Sequence, residues 1–233
     1  MVDMNIYIST SDKYIHLIEI FQYLFNKFWN SEQKVTILGF EEPKFKLEKN
    51  FDFISLGKQT TTDDWCKDLT GFLESINDEY FIHAVEDQFI IRPVSEIMIS
   101  KLINMMDKDV GRIALETAAQ TKPYKPFYSD DDIFVIELDQ MAQYRLSVCH
   151  SIWNKEYMLK YLKLNNTPWE FELDERPKND GYKILGTKYD HPIYCTHSVR
   201  KGDIENLDFT INDGYDISID DGTLNELKQK KLL

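Results

Sequence analysis

Residues 80 to 85 read Tyr-Phe-Ile-His-Ala-Val and stop on Glu86-Asp87-Gln88. A nearly unbroken apolar run lacks the alternation of a strand with one wet face, so it is expected to be a central strand covered on both sides. Such strands belong to open sheets with helices on both faces, and this narrows the fold more than any other stretch of the chain. The neighbouring segments agree. Asn5 to Ser9 is a short apolar run that stops at Thr10-Ser11-Asp12, a cluster suited to ending a strand and capping a helix. From Tyr14 to Trp29, Tyr14, Leu17, Ile18, Phe21, Phe25 and Phe28 recur at helical spacing with His16, Glu19, Asn26 and Lys27 on the other side. Lys34 to Phe40 and Phe51 to Leu56 read as strands, and Thr62-Asp63-Asp64 opens a helix with Trp65, Leu69, Phe72, Leu73 and Ile76 on one stripe. This alternation predicts an α/β fold built on a mostly parallel, doubly wound sheet.

Further on, Ser95 can cap a helix carrying Met98, Leu102, Met105 and Met106, whose methionines read as core. Gly111 to Leu115 and Asp132 to Leu138 look like later strands, Asn154 to Lys163 like a helix, and His191 to Val199 like a late strand. Thr223 and Glu226 have the spacing of a capping box for a terminal helix. No repeat, low-complexity tract or long linker divides the chain, so residues 1–233 are expected to form a single domain with halves at 5–115 and 116–202 and a tail at 203–233. With 42% hydrophobic residues over 233 positions, a full core can form without staples.

Charge restricts the partners. Twenty-seven basic against 40 acidic residues leave a formal charge of −13, which repels a phosphate backbone and an anionic bilayer, so neither nucleic acid nor a membrane is expected. No apolar run approaches 18 residues, an acid stands where a signal peptide would carry basic residues, and Cys66, Cys149 and Cys195 form no C-x-x-C. A soluble protein of the reducing cytoplasm is expected. An anionic ligand would need local positive charge, from helix N-termini, a few placed cations or a bound divalent ion.

Ligands of doubly wound sheets sit at the carboxyl ends of strands, which selects Ser9 to Asp12 and Glu86-Asp87. Two adjacent carboxylates at the tip of a buried strand repel each other unless they share a cation or face water. A hard divalent ion would resolve the repulsion, and two solvated loop acids are the competing reading. There is no G-x-x-x-x-G-K-[ST], G-x-G-x-x-G, G-x-S-x-G or H-E-x-x-H, which disfavours P-loop, ordinary dinucleotide and hydrolase readings.

Several short segments occur together in a telling order. Ser11-Asp12-Lys13-Tyr14, then Phe25 to Trp29, Trp65 with Leu69 and Leu73, and Glu86-Asp87-Gln88-Phe89-Ile90 are followed by Tyr144-Arg145-Leu146-Ser147, Ile152-Trp153 and Pro168-Trp169-Glu170-Phe171-Glu172. The set, spread over residues 5 to 202, resembles a group of short, single-domain, mostly bacterial glycosyltransferase-like proteins. That resemblance implies the GT-A (nucleotide-diphospho-sugar transferase) fold, with a nucleotide-binding first half and an acceptor and catalytic second half. It implies a metal-dependent glycosyltransferase, inverting, that moves a sugar from a nucleoside diphosphate donor, a UDP-sugar favoured, to a glycan or other hydroxyl acceptor.

The resemblance also distributes roles. Glu86 and Asp87 fall where the family's acidic motif holds Mn²⁺ or Mg²⁺, with His197 as a late metal ligand or diphosphate contact. Gln88 departs from the pattern, since the family commonly has an aromatic there. Ser9, Thr10, Ser11, Asp12 and Trp65 are assigned to the donor, Arg200 and Lys201 to its diphosphate, and Arg145, Trp153 and Trp169 to the acceptor, with framework an equal reading for Arg145 and Trp153. An inverting transfer needs a general base, for which Glu170 and then Glu172 are the candidates. If that segment is extended the two acids share one face; if it is helical they separate by about 200°. Two rivals remain, a nucleotidyltransferase of related fold, supported only by Lys13, and a non-catalytic family member binding glycan or nucleotide sugar, kept open by Gln88.

Overall fold

A computed structural model describes residues 2–61, 64–117, 119, 122–162, 166–196, 199–200, 203–204, 211–212, 215–216 and 219–233. Its centre is a nine-stranded sheet. In chain order the strands are β1 (Ile6–Ser9), β2 (Val35–Gly39), β3 (Phe51–Ser55), β4 (Tyr80–Val85), β6 (Val110–Ala114), β7 (Tyr124–Ser129), β8 (Phe134–Leu138), β9 (Ser151–Asn154) and β10 (Lys183–Thr187). They lie in the order β3-β2-β1-β4-β9-β6-β10-β8-β7, while the short β5 (Phe89–Ile90) pairs outside it with β11 (Cys195–Thr196).

The expected parallel sheet is present on one side. β3, β2, β1 and β4 are mutually parallel, in the register Ser9 to Leu38 and Ser9 to Val85. Beyond β4 the sheet is mixed: β9 runs antiparallel to both β4 and β6, β10 is parallel to β6, and β8 and β7 return antiparallel. The strands 124–129, 151–154 and 183–187 were not anticipated from the sequence. The late strand expected over residues 191–199 is instead two short pieces, β11 and β12 (Val199–Arg200).

Strand periodicity sends alternate side chains into two cores. Ile6, Ile8, Ile82, Ala84 and Ile152 face α1 (Ile18–Phe28) and α3 (Glu96–Ile103), where Phe21, Phe25, Ile99 and Leu102 are buried. Tyr7, Phe81 and Trp153 face the opposite core, closed by α2 (Trp65–Ser75), α4 (Lys155–Tyr161) and α5 (Pro168–Glu172) through Leu69, Phe72, Tyr157 and Phe171. Gly111 permits the close approach of α4 to β6, because a Cβ there would lie 2.6 Å from the Tyr157 ring.

Helix ends follow side-chain chemistry. Ser95 caps α3, its Oγ accepting from the Met98 amide at 3.3 Å, and Asn154 caps α4, accepting from the Tyr157 amide at 3.1 Å. The terminal helix α6 (Asp221–Gln229) is capped by Asp220, whose carboxylate accepts from the Thr223 amide at 2.9 Å, so Thr223 lies inside the helix rather than at its cap. No described helix is long and apolar enough to cross a membrane.

Candidate active site

Parallel β1 and β4 end side by side, so Ser9 and the Val85-Glu86-Asp87 turn arrive at one rim. Antiparallel β9 delivers the opposite polarity: the residues entering it, Val148 and Cys149, reach that same rim. The start of α2 and the short α5 close the far wall. Between them lies a cleft of about 340 Å³ lined by Ser9, Thr10, Ser11, Tyr14, Phe40, Gln59, Trp65, the 85–88 turn, Val148, Cys149, Pro168, Trp169 and Glu172. Its size suits a small-molecule ligand. The donor candidates Ser9, Thr10, Ser11 and Trp65, the acids Glu86, Asp87 and Glu172, and Trp169 are brought together here.

The floor of the cleft is electrically unusual. Glu86 is buried, and its carboxyl is pushed up to about 8, first by burial and then by the neighbouring Asp87 charge. Beneath it, His83 is fully buried, and its Nε2 lies 2.8 Å from Ser9 Oγ. Burial pulls His83 down to about 3, so the ring is neutral across the physiological range. Its Nδ1 has no hydrogen-bond partner among the described residues. Gln88 faces inward, its Oε1 accepting from the His150 amide at 3.1 Å and its Nε2 donating to Cys149 Sγ at 3.1 Å. The departure at this position therefore clamps β4 to the approach to β9, a task needing one donor and one acceptor that an ionised acid cannot supply.

The 167–173 segment is helical. Thr167 and Glu170 form a reciprocal capping box, with Glu170 Oε2 accepting from the Thr167 amide at 2.8 Å and Thr167 Oγ1 accepting from the Glu170 amide at 3.2 Å. These bonds hold the exposed Glu170 carboxyl below its usual range and keep it off the cleft wall. Glu172, two positions on, faces the cleft, and its Oε1 accepts from the Val148 amide at 2.8 Å.

Other expected positions fall elsewhere. Arg145 is 1% exposed and donates to the carbonyls of Pro177, Asp139 and Tyr182 and to Asp180 Oδ1, which makes it a framework strut rather than an acceptor contact. Trp153 is fully buried in the core beneath the Arg112 guanidinium, 5.6 Å from its ring centroid. Asp12 ties neighbouring loops, its Oδ1 accepting from the Glu41 amide and its own amide donating to Gln59, and it does not line the cleft. His197 and Lys201 lie outside the described residues; Arg200 ends β12, and its side chain is not described.

A second cavity of about 220 Å³ adjoins the first, with Cys149 and Glu172 on both walls. It adds Arg112, Ala119, Lys122, Leu138, Tyr144 and Ser147. Among the described residues no group of three or more His, Cys, Asp and Glu converges as a metal site. The Glu86-Asp87 pair still fits a divalent ion of the kind held by one or two carboxylates and completed by phosphate oxygens, because a cation would offset both the burial and the neighbouring Asp87 charge that raise Glu86.

No protein-family model matches the sequence, and no curated protein matches it. Solved structures do match. Residues 1–349 of TarS from S. aureus align with a TM-score of 0.51 at 11% identity, over 82% of this chain and 59% of that one. UDP-glucose pyrophosphorylase complexed with UDP-glucose gives 0.48 at 10%, over 84% and 93%, and HddC from Yersinia pseudotuberculosis gives 0.46 at 12%, over 83% and 92%. The chain thus spans 59% of the TarS structure it matches, and at such identities the likeness speaks to the fold alone. That fold is the GT-A-like architecture of nucleotide-diphospho-sugar transferases.

Proposed function

We propose that the chain is a metal-dependent, inverting glycosyltransferase that moves a sugar from a nucleoside diphosphate donor, a UDP-sugar favoured, to an acceptor hydroxyl. The observation that carries this reading is the place of Glu172, on the wall common to the acidic cleft and the second cavity. A donor in the first and an acceptor in the second would meet at that carboxylate.

Ser9, Thr10, Ser11 and Trp65 would hold the nucleoside. Asp87, with Glu86 beside it, would hold Mn²⁺ or Mg²⁺ against the donor diphosphate. When bound, the ion supplies charge neutralisation to the departing diphosphate. The Val148 amide fixes one oxygen of Glu172, which leaves the other to accept the acceptor's proton. The acceptor oxygen then forms its bond to the anomeric carbon as the bond from that carbon to the diphosphate oxygen breaks. Trp169, 59% exposed at the rim, offers an aromatic face to a sugar.

Nucleotidyl transfer on the same fold would need basic residues for a triphosphate near β1. Lys13, the cation that follows β1 in the chain, turns to Tyr14, with Nζ 3.2 Å from the phenol oxygen. A thermal-shift series with UDP and UDP-glucose tests the reading. Ligand at 100 times its dissociation constant stabilises by about 2.7 kcal/mol. The shift is expected with Mn²⁺, to fall away with EDTA, and to lose its Mn²⁺-dependent part in Asp87→Asn. Equal shifts with Mn²⁺ and EDTA refute the metal role, and pyrophosphate release from UTP and a sugar 1-phosphate would identify nucleotidyl transfer instead.

A further inference from the structure

We propose that the second cavity selects an acceptor sugar bearing an anionic group, a carboxylate or a phosphate, and that Lys122 is the residue that selects it. The proposal rests on the transferase reading, because only that reading makes this cavity an acceptor site. It also stands on a contrast between two adjoining cavities.

Among the described residues the cleft wall carries Glu86, Asp87 and Glu172 and no cation, whereas the second cavity carries Arg112 and Lys122 with Glu172 as its one acid. In a chain of net charge −13, two cations in one small cavity are a deliberate concentration. The two are held differently. Arg112 is 2% exposed, and its Nε donates to Ser151 Oγ while Nη1 donates to the carbonyls of Tyr144 and Arg145. Its charge is answered by the fields of Glu116 and Glu172. Arg112 is therefore the fixed part of the wall, and by holding the Tyr144 carbonyl it supports a residue in the left-handed region at φ 60°.

Lys122 is the uncommitted part. It is half-buried, with Nζ 5.0 Å from the Tyr144 ring centroid and, among the described residues, no carboxylate within ion-pair distance. Lys13, Lys160, Lys188 and Lys230 also lie over aromatic rings, but of these five lysines Lys122 is the one that lines the second cavity. An ammonium held against an aromatic face beside a cavity, with no protein anion to answer it, is arranged for an anion that arrives with a ligand. A sugar whose anionic substituent meets Lys122 would extend from there toward Glu172, the candidate base.

Three sugars that differ at one carbon separate the outcomes: glucose, glucuronate and glucose 6-phosphate. Each is titrated into the full-length ¹⁵N-labelled protein, with affinities and sites read from amide shifts. At least one anionic sugar is expected to bind about tenfold more tightly than glucose, the difference of one charge-assisted hydrogen bond. Its shifts should fall on Leu138, Tyr144 and Ser147, and Lys122→Gln should abolish the preference without changing glucose affinity. Whether glucuronate or glucose 6-phosphate gains more distinguishes carboxylate from phosphate. The proposal is overturned by equal affinities, by no binding of any of the three, by shifts confined to the Ser9 and Glu86 rim, or by a preference that survives in Lys122→Gln. The titration uses no donor, metal or turnover, so its failure is separate from failure of the transferase reading, which the nucleotide thermal shifts report.

Discussion

Replacing Glu86 by Gln should remove a specific bend from the dependence of stability on pH. An acid whose folded value is about 8, against 4.5 in the free group, keeps its proton in the folded state at pH values where the unfolded chain has lost it. Stability from this group is complete below the unfolded value and is lost as pH rises through the folded one. Integrating the proton difference from pH 6.5 to 8.5 gives a loss of about 2 kcal/mol. His83 and His191 act in another window. Burial lowers them to about 3 and about 4, so the unfolded chain binds the extra protons, and their contribution rises with pH, still adding about 0.8 kcal/mol in total between pH 6.5 and 8.5. Wild-type stability should therefore climb to about pH 6.5 and fall beyond it. The net alkaline fall of about 1 kcal/mol would be read in urea titrations every half unit from pH 5 to 8.5 as a midpoint drop of roughly 0.3 to 0.5 M. Glu86→Gln should keep the acid limb and lose most of the alkaline fall. Mg²⁺ should restore the wild type at pH 8.5 and do much less for the variant. Parallel alkaline limbs in the two proteins would refute the buried, proton-bearing Glu86.

Two further outcomes follow from the site. Glu172→Gln should lower sugar transfer by about 10² to 10⁴, as for loss of a general base, while Glu170→Ala should leave transfer near wild type and cost about 1 kcal/mol in urea melts, as for a lost helix cap. Gln88→Glu should cost about 1 to 3 kcal/mol, because an ionised acid can accept from His150 but cannot donate to Cys149, and Gln88 is 3% exposed beside two other acids; an unchanged urea midpoint would refute the clamp.

Much of the first half of the fold is legible in the chain because its signals are long and mutually consistent. The 80–85 run, the stripe along α1 and the Ser95 cap each name one structure. β7 is the opposite case: all six of its residues are exposed, so it carries no alternation of apolar and polar faces. β9 is only four residues long and buried throughout, which leaves no period to read. At the site, the rule of strand ends finds Ser9 and the Glu86-Asp87 turn, whereas neighbouring residues in one motif cannot say which of them faces a ligand. Arg145 and Trp153 belong to the framework for that reason. The choice between Glu170 and Glu172 was within reach, since Thr167-Pro168-Trp169-Glu170 is a capping box with proline in the first helical turn. Val148 and Cys149 are missed because they reach the rim only through the reversed direction of β9.

The position of β9 between β4 and β6 bears on how the chain can come to be folded. β4 has its neighbour β1 to hold one edge, but its other edge waits for residues 151–154, some seventy positions later. β6 depends on the same four residues and on β10. During synthesis, everything emitted before β9 would leave one edge of β4 and both edges of β6 open, the arrangement most exposed to pairing with another chain. Closure of so distant a contact is slow for reasons of loop entropy. A chain cut after β6 would therefore be expected to aggregate rather than yield an isolated first half, and β9 acts as the late keystone on which cooperative folding of both halves depends.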